Sequence, residues 1–431
     1  MTYQEALDYI SAVSSRGSVP GLGRIRTLME GLGNVQNQVK FVHLAGTNGK
    51  GSTSCMLSHV LMEAGYKTGL FVSPHIIRYN ERMQINGGHI PDEKLAEIME
   101  RVSKVADAMT EAPTEFELIA ATAFVWFAEE QCDIVVLETG LGGRLDATNL
   151  IETNECAVIT NIGIDHTDYL GSTLAEIAYE KACILKEGRP VVAYASDKEA
   201  LDVIVNYAVS HNNPITVTDF AAIEPISADL TGQSFRYKGK QYRIRLLGAH
   251  QQRNAALVLE TVEVLRSLGW NITDDSVVSG MAAAQWPARF ELLSEDPIVF
   301  VDGAHNMQGV ESLCAAVQDY LSGRRVVCLT GVLADKDWQA MMQLLQGVAT
   351  DFVTITPDSP RALTNTALAE YLTVQGCTAQ TADSVDEAVT RALEKARATD
   401  SVVVACGSLY MASEIREFFA SYMPLRKINL N

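Results

Sequence analysis

No apolar run in this sequence is long enough to cross a bilayer. The longest, LIAATAFVWFA from Leu118 to Ala128, falls well short of the ~20 residues of a spanning helix and reads as a buried helix. The N-terminal stretch MTYQEALDYI carries two acids and no basic residue, so no secretory signal is expected. The 8 cysteines are scattered without a CxxC pair, which argues against a zinc site and for reduced, buried thiols in a cytoplasmic protein. Positive charge is scarce: 34 Lys and Arg face 53 Asp and Glu, a net charge of −19. Such a field repels nucleic acid and anionic membranes, so neither is an expected partner. Any anionic substrate must meet a local cluster of cations. Low-complexity tracts and repeats of 20–50 residues are also absent.

What is present is a globular composition, 47% hydrophobic over 431 residues, a length that suggests two to three domains. Short β-branched runs alternate with helical segments, the mark of doubly wound α/β folds. Expected strands of the first block are 41–45, 69–73, 133–138, 156–162 and 190–195, with helices near 50–64, 92–109, 115–131, 173–186 and 197–211. Pro91 and two acids in IPDEKLAEIME mark a helix entrance. The stretch 234–247 alternates around Lys-Gly-Lys as a hairpin would. A second block has strands at 298–302, 326–330, 352–356 and 401–406, and Pro287 and Pro297 place a boundary near residue 295.

FVHLAGTNGKGSTSCMLSHVLMEAG, residues 41–65, fails the standard phosphate-loop pattern: Leu44 stands where the first glycine belongs, and Gly51 separates Lys50 from Ser52. Its context is nonetheless that of a phosphate loop. An apolar strand runs into glycines 46, 49 and 51 and then a helix, so backbone N–H groups and the helix N-terminus face any bound phosphate. Lys50 adds a full charge, and Thr47, Ser52 and Thr53 offer hydroxyls, one of which could reach a magnesium ion. A ligand-free glycine turn is the plainer alternative.

Other residues stand where an open α/β sheet collects ligands. Glu138 ends an apolar strand, and Asp165 and His166 follow another, although strand-end acids also cap loops and a histidine there also serves structure. Lys181, in STLAEIAYEKACILKEG behind a Ser172 or Thr173 cap, has no acid three or four residues before it. Its plain reading is a surface lysine, and the same holds for Arg289, Asp302 and His305 as polar residues near the boundary.

Taken together, GLGRI, HLAGTNGKGST, LFVSPHI, YNERMQINGGHI, TEFE, LETGLGGRLDATN, ITNIGIDHTDYLG, IAYEKACILK, AHQQRNAALVLET, WPARFE, VDGAHN and CGSLYMASEIR resemble the folylpolyglutamate synthase family, which includes dihydrofolate synthase, within the Mur ligase superfamily. The collinear stretches run from residue 21 to 416. The resemblance implies a P-loop ATPase domain with a parallel-rich sheet over 1–295, and a smaller Rossmann-like glutamate-ligase domain over 296–431. It implies ATP-dependent ligation of L-glutamate to the carboxylate of a folate through an acyl phosphate, with dihydropteroate as a second acceptor, in a monomeric protein.

Roles are carried over by motif. Gly46, Thr47, Asn48, Gly49, Lys50, Gly51 and Ser52 would cradle the phosphates, with Asn254, Arg289 and Asp302 as further ATP contacts. Ser52, Ser73, Glu138, His166 and Lys181 would hold magnesium, two ions in all, with Lys181 carbamylated by carbon dioxide. Lys50, Lys181 and His166 would serve catalysis. Thr114, Glu115, Phe116 and Glu117, with Leu145, Asp146 and Ala147, map to the pteroate site, and His305 and Ser408 to the glutamate side. The chain departs from the family at Ala288, where glycine is more frequent, and at Met307, where proline is usual.

A cell-wall Mur ligase would carry a nucleotide-binding domain of ~100 residues before the loop, and only 45 residues precede Gly46. A dihydrofolate synthase without the folate activity, and a P-loop protein without ligase chemistry, are the remaining alternatives. The second would have no use for a second α/β block that presents polar strand ends.

Overall fold

The computed structural model describes residues 1–422 apart from 15, 16, 18 and 196. The chain divides into two compact units: 1–224, 236–243 and 253–284 form the first, and 225–235, 244–252 and the remainder from 285 form the second. The last crossing thus precedes the expected boundary of 295. The physical reason is a short strand, Glu291–Glu295, that pairs with the sheet of the second unit. Its sequence, ELLSE, lacks the apolar alternation that would have announced it.

The first unit is built on an eight-stranded sheet. Its strands are β1 (Phe41–Ala45), β2 (Thr68–Phe71), β3 (Met83–Ile85), β4 (Gly88–His89), β5 (Ile134–Glu138), β6 (Cys156–Ile159), β7 (Val191–Ala193) and β8 (Ile215–Val217). They lie in the order β4-β3-β2-β5-β1-β6-β7-β8. All pairings from β2 to β8 are parallel, and β3 and β4 add an antiparallel edge. β1 and β5 are buried along their whole length, as parallel strands covered on both faces must be.

Helices supply the two covers. On one face the helix Glu115–Glu129, buried from Glu117 to Phe127, packs with Phe41, Val135 and Leu137. This is the apolar run whose length ruled out a membrane span, and among the described residues no helix is long and apolar enough to cross a membrane. On the other face Ile177, Ala178 and Ala182 pack with Ala45, Ala157 and Ile159. The lysine-bearing helix spans Leu174–Ala182, with Thr173 as its N-cap in a reciprocal capping box with Glu176. It ends earlier than expected, because Ile184 and Leu185 turn back to bond the carbonyls of Lys181 and Ala182.

A three-stranded sheet follows, β9 (Ile223–Asp229), β10 (Gly232–Tyr237) and β11 (Lys240–Ile244), ordered β11-β10-β9. The expected hairpin is its β10–β11 pair, turned at Lys238 and Gly239, whose φ angles are 47° and 83°; positive φ at both central residues suits a two-residue hairpin.

In the second unit β12 (Glu291–Glu295), β13 (Ile298–Val301), β14 (Arg325–Thr330), β15 (Asp351–Thr354), β16 (Thr378–Thr381) and β17 (Ser401–Cys406) form a sheet ordered β12-β13-β17-β14-β15-β16. Only the β12–β13 pair is antiparallel. The crossing from β13 to β14 at a distance of two strands, with β17 between them, sets the strand order of a doubly wound sheet.

Candidate active site

In the first unit the parallel strands β2, β5, β1 and β6 are neighbours, so the segments after them emerge at one edge. That edge carries Ser73, Glu138, the loop from Gly46 and the segment 160–166. The phosphate-loop helix, Lys50–Glu63, starts from Gly49 at φ 88°, with no side-chain cap and no acid in its first turn. Its opening N–H groups therefore face outward at the positive end of the helix dipole, an anion-binding arrangement.

The loop is laced to the segment after β6. Thr47 N and Asn48 N donate to Asn161 O at 2.8 and 3.4 Å, and Thr160 Oγ1 donates to Asn48 O at 2.9 Å. Thr47 Oγ1 donates to Gly163 O and accepts from Gly163 N, each at 3.0 Å. Of the three hydroxyls considered for magnesium, that of Thr47 is thus committed to the loop. Ser52 and Thr53 are buried, and Thr53 Oγ1 has no hydrogen-bond partner. Two glycines are required by contact: a Cβ on Gly46 would lie 1.7 Å from Thr160 Oγ1, and one on Gly49 would lie 2.7 Å from Asn254 Oδ1. Asn254, buried at 3% exposure, is therefore brought against the loop.

Two lysines meet at this loop. Lys50 Nζ donates to Gly46 O at 3.1 Å and lies 3.9 Å from Glu138 Oε1. Lys181 is buried and its Nζ donates to the same carbonyl at 2.9 Å. The plain reading of Lys181 as a surface residue is corrected here: the sheet draws its helix onto the loop. Burial first, and then the charge of Lys50, push its pKa down to about 7, opposed by Asp165, Asp146 and Glu180. The amine is therefore about half neutral near pH 7, where an ordinary lysine is almost wholly protonated.

Glu138 is buried at 3% exposure. His166 is exposed and adopts φ 51°, with its N–H donating to Asp165 Oδ1 at 2.8 Å. Among the described residues no three His, Cys, Asp or Glu side chains gather into a metal cluster. The expected set holds only Glu138 and His166 of those types; its other members are hydroxyls and Lys181. This fits a hard ion that keeps water and phosphate oxygens as ligands, as magnesium does.

Of the stretch Thr114–Glu117, three residues are already engaged in polar contacts. Thr114 caps its helix in a reciprocal box with Glu117, and Glu117 Oε2 accepts from Arg24 Nε at 3.0 Å. Glu115 accepts from the hydroxyl of Tyr79. Phe116 lies against Phe71, with ring centroids 5.9 Å apart, and its ring would meet a Cβ on Gly140 at 2.5 Å. Asp146 is buried and ties its own loop: Oδ2 accepts from Leu141 N at 2.8 Å and Oδ1 from Thr148 N at 3.0 Å. Burial pushes its carboxyl up, and these donors oppose the shift. Leu145 and Ala147 flank it, half-buried and buried.

The second unit collects its own residues at the ends of β13 and β17, joined there by Asp302 N to Ala405 O and Gly407 N to Ala304 O, both 2.9 Å. Asp302 accepts from Phe290 N and Ala304 N, both at 2.7 Å. Burial raises its pKa, and the charge of Arg289 opposes this. Arg289 Nη1 donates to Ala288 O at 2.9 Å. His305 Nδ1 faces Gly303 O at 2.7 Å, so Nδ1 carries the proton. Ser408 is buried and its Oγ accepts from Tyr410 N at 3.2 Å. Sequence reasoning missed Thr160, Asn161 and Gly163, whose only signal was a small polar run behind an apolar strand.

The Mur ligase middle domain family matches residues 44–262, and the glutamate ligase domain family of Mur ligases matches residues 288–409. The chain is 38% identical to the dihydrofolate synthase/folylpolyglutamate synthase of Bacillus subtilis, over 96% of this chain and 98% of that one. It is 34% identical to the folylpolyglutamate synthase of Lacticaseibacillus casei, over 97% and 98%. The fold is similar to that of Mycobacterium tuberculosis folylpolyglutamate synthase complexed with ADP and AMPPCP, with a TM-score of 0.87 at 31% identity over 97% and 99% of the two chains. It is also similar to E. coli FolC in complex with DHPP and ADP, with a TM-score of 0.84 at 30% identity over 98% of each chain.

Proposed function

The chain belongs to the Mur ligase family, in its folylpolyglutamate synthase/dihydrofolate synthase branch, and from that premise we propose how its residues share the work of an ATP-dependent glutamate ligase. The acceptor is the carboxylate of a folate, with dihydropteroate as a second acceptor. A carboxylate does not accept an amine near neutral pH until one of its oxygens can leave. Transfer of the γ-phosphoryl group of ATP to the carboxylate makes the acyl phosphate, and the amino group of L-glutamate then displaces phosphate to form the amide.

The observation that carries the assignment is the convergence of Lys50, Lys181 and the outward N–H groups of the helix Lys50–Glu63 on the Gly46 loop. Lys50 and those N–H groups hold the phosphates in line and neutralise charge that grows during transfer, while Lys181, on the same carbonyl, is left for the carbamate. Asn254 bears on the loop at Gly49 and fixes its approach to the nucleotide. Magnesium, when bound, supplies Lewis-acid stabilisation of the phosphate oxygens. Ser52, Ser73, Glu138, His166 and a carbamate on Lys181 would hold it, as two ions. A half-neutral Lys181 amine is the form that can take up carbon dioxide, since a protonated one has no lone pair. Leu145, Asp146, Ala147 and the Thr114–Glu117 turn, with Phe116 as its aromatic surface, are assigned to the pteroate moiety. Arg289 and Asp302 are assigned to ATP, and His305 and Ser408 to glutamate. The unit acts as a monomer in the cytoplasm.

The test is glutamate ligation and phosphate release, with tetrahydrofolate and dihydropteroate offered side by side. Product from both acceptors is expected. ATP turnover that is indifferent to acceptor and glutamate would refute the ligase assignment, and product from dihydropteroate alone would refute the order of acceptors.

A further inference from the structure

β1 carries the phosphate loop and is apolar except at His43. That residue is wholly buried and lies in register with Leu137 of β5 and Ala157 of β6. Its Nε2 is 2.9 Å from Thr148 Oγ1. The threonine hydroxyl donates its one proton to Asp146 Oδ1 at 2.5 Å, so the imidazole must be the donor to Thr148. This fixes the Nε2–H tautomer and leaves Nδ1 bare, and Nδ1 is buried without a hydrogen-bond partner. Burial and the charge of Lys186 hold the ring well below the usual histidine pKa, so it stays neutral. A leucine would fill the same slot without stranding a nitrogen. Packing alone therefore does not account for a histidine here.

The relay ends on a carboxylate that shapes a loop. Asp146 gathers Leu141 N and Thr148 N, and Asp146 N donates to Gly143 O at 3.1 Å. Gly143 packs so closely on the next helix that a Cβ would lie 2.7 Å from Glu180 O and 3.2 Å from Lys181 Cα. The Asp146 carboxylate thus draws the two ends of the 140–147 loop together, and the loop's Gly143 sits beside Lys181.

We propose that His43 and Thr148 are positioning residues, a donor relay from the phosphate-loop strand that aims Asp146 and so shapes the loop for an aromatic carboxylate acceptor. The proposal rests on the reading that Leu145, Asp146 and Ala147 meet that acceptor. The experiment compares His43→Leu, His43→Gln, Thr148→Val and Thr148→Ser with Asp146→Asn in the full chain, measuring KM for tetrahydrofolate, KM for ATP, kcat and Tm. His43→Leu and Thr148→Val should each raise the acceptor KM roughly tenfold, a fraction of what misplaced reacting groups lose, with ATP KM and Tm close to those of the parent. His43→Gln, which returns an N–H near the same point, and Thr148→Ser should recover most of that loss. An Asp146→Asn variant with a raised acceptor KM beside an unaffected His43→Leu would overturn the relay. Acceptor and ATP KM rising together with a fallen Tm would reduce both residues to structural support. An unchanged acceptor KM in Asp146→Asn would sink the acceptor reading of the loop, and the proposal with it.

Discussion

Lys50 and Lys181 donate to a single acceptor, the carbonyl oxygen of Gly46, at 3.1 and 2.9 Å. Two ammonium groups on one carbonyl repel each other, and the buried partner yields. After burial, the charge of Lys50 is the largest influence that holds Lys181 near a pKa of about 7. The contact places a half-neutral amine beside the phosphate loop, 135 residues of sequence away from it.

Removal of that amine should be severe. Lys181→Ala is expected to lower kcat by roughly two to three orders of magnitude, as loss of a preorganised charge at a transferring group does. Formate or acetate should restore part of the rate if a carbamate is what the site needs. Single-turnover phosphate release, with and without the added carboxylate, measures this. Full activity in the variant would remove Lys181 from the mechanism.

The depressed pKa also fixes a pH dependence. Below about 7 the Lys181 amine is protonated and cannot carry carbon dioxide, and above it the neutral form prevails. Carbamate formation, read by 13C NMR with labelled bicarbonate, should therefore rise with pH through about 7. The sign for stability follows from the same group. Between about 7 and the usual 10.5 the unfolded chain binds the proton that the folded chain does not, so this lysine makes stability increase with pH across that window. A carbamate signal that falls as pH rises would contradict the assignment.

Glu138→Gln keeps the size of the side chain and removes its charge from a site buried at 3% exposure. If Glu138 holds magnesium, the metal concentration for half-maximal turnover should rise by about tenfold or more, since the carboxylate is a ligand that neutral amides replace poorly. Magnesium titration of initial rates checks it. An unchanged midpoint would exclude Glu138 as a ligand.

The phosphate-loop helix is clamped from behind. A Cβ on Gly280 would lie 2.5 Å from Val60 Cα and 2.6 Å from Val60 N, so the helix Asp274–Ala283 crosses Lys50–Glu63 in backbone contact. Gly280→Ala should cost about 1–3 kcal/mol, the range for overpacking, and raise the KM for ATP as the helix shifts. Chemical denaturation with ATP kinetics tests both; a variant as stable as the parent would show that the crossing tolerates the methyl.

How much of this could be read in the sequence depended on range. The Gly46–Ser52 loop was legible because strand, glycines and helix are neighbours in the chain. The doubly wound pattern followed from β-branched runs such as IVVLE. Lys181 was not legible from its own surroundings, because what gives it meaning is the sheet that draws helix Leu174–Ala182 onto Gly46. β16, with the sequence TAQT, is polar and only partly buried, so no periodicity marked it. Glu117 could have been read differently: a threonine followed three residues later by glutamate before an apolar run is a capping box, and that is the bond it makes. His43 stayed hidden inside an apolar strand, since only the register of β1 and the 140–147 loop reveals its partner.

Ala288 ties a sequence departure to a backbone angle. It stands where the resemblance led glycine to be expected, and its φ is 53°, with the residue wholly buried. The turn is held there by Ala288 N donating to Glu291 Oε2 at 2.8 Å and Gly303 N donating to Ala288 O at 2.9 Å. An alanine in that region is strained by about 1–2 kcal/mol relative to glycine. Ala288→Gly releases the strain, but it loses a buried methyl worth about 0.8 kcal/mol and adds roughly 0.5–1 kcal/mol of unfolded-state entropy. These oppose each other, so stability should change by less than about 1 kcal/mol. Ala284, equally buried but at φ −59°, has no strain to release, and Ala284→Gly should lose about 1–2 kcal/mol. The difference between the two denaturation midpoints isolates the strain, and equal losses at 284 and 288 would show that the turn carries none.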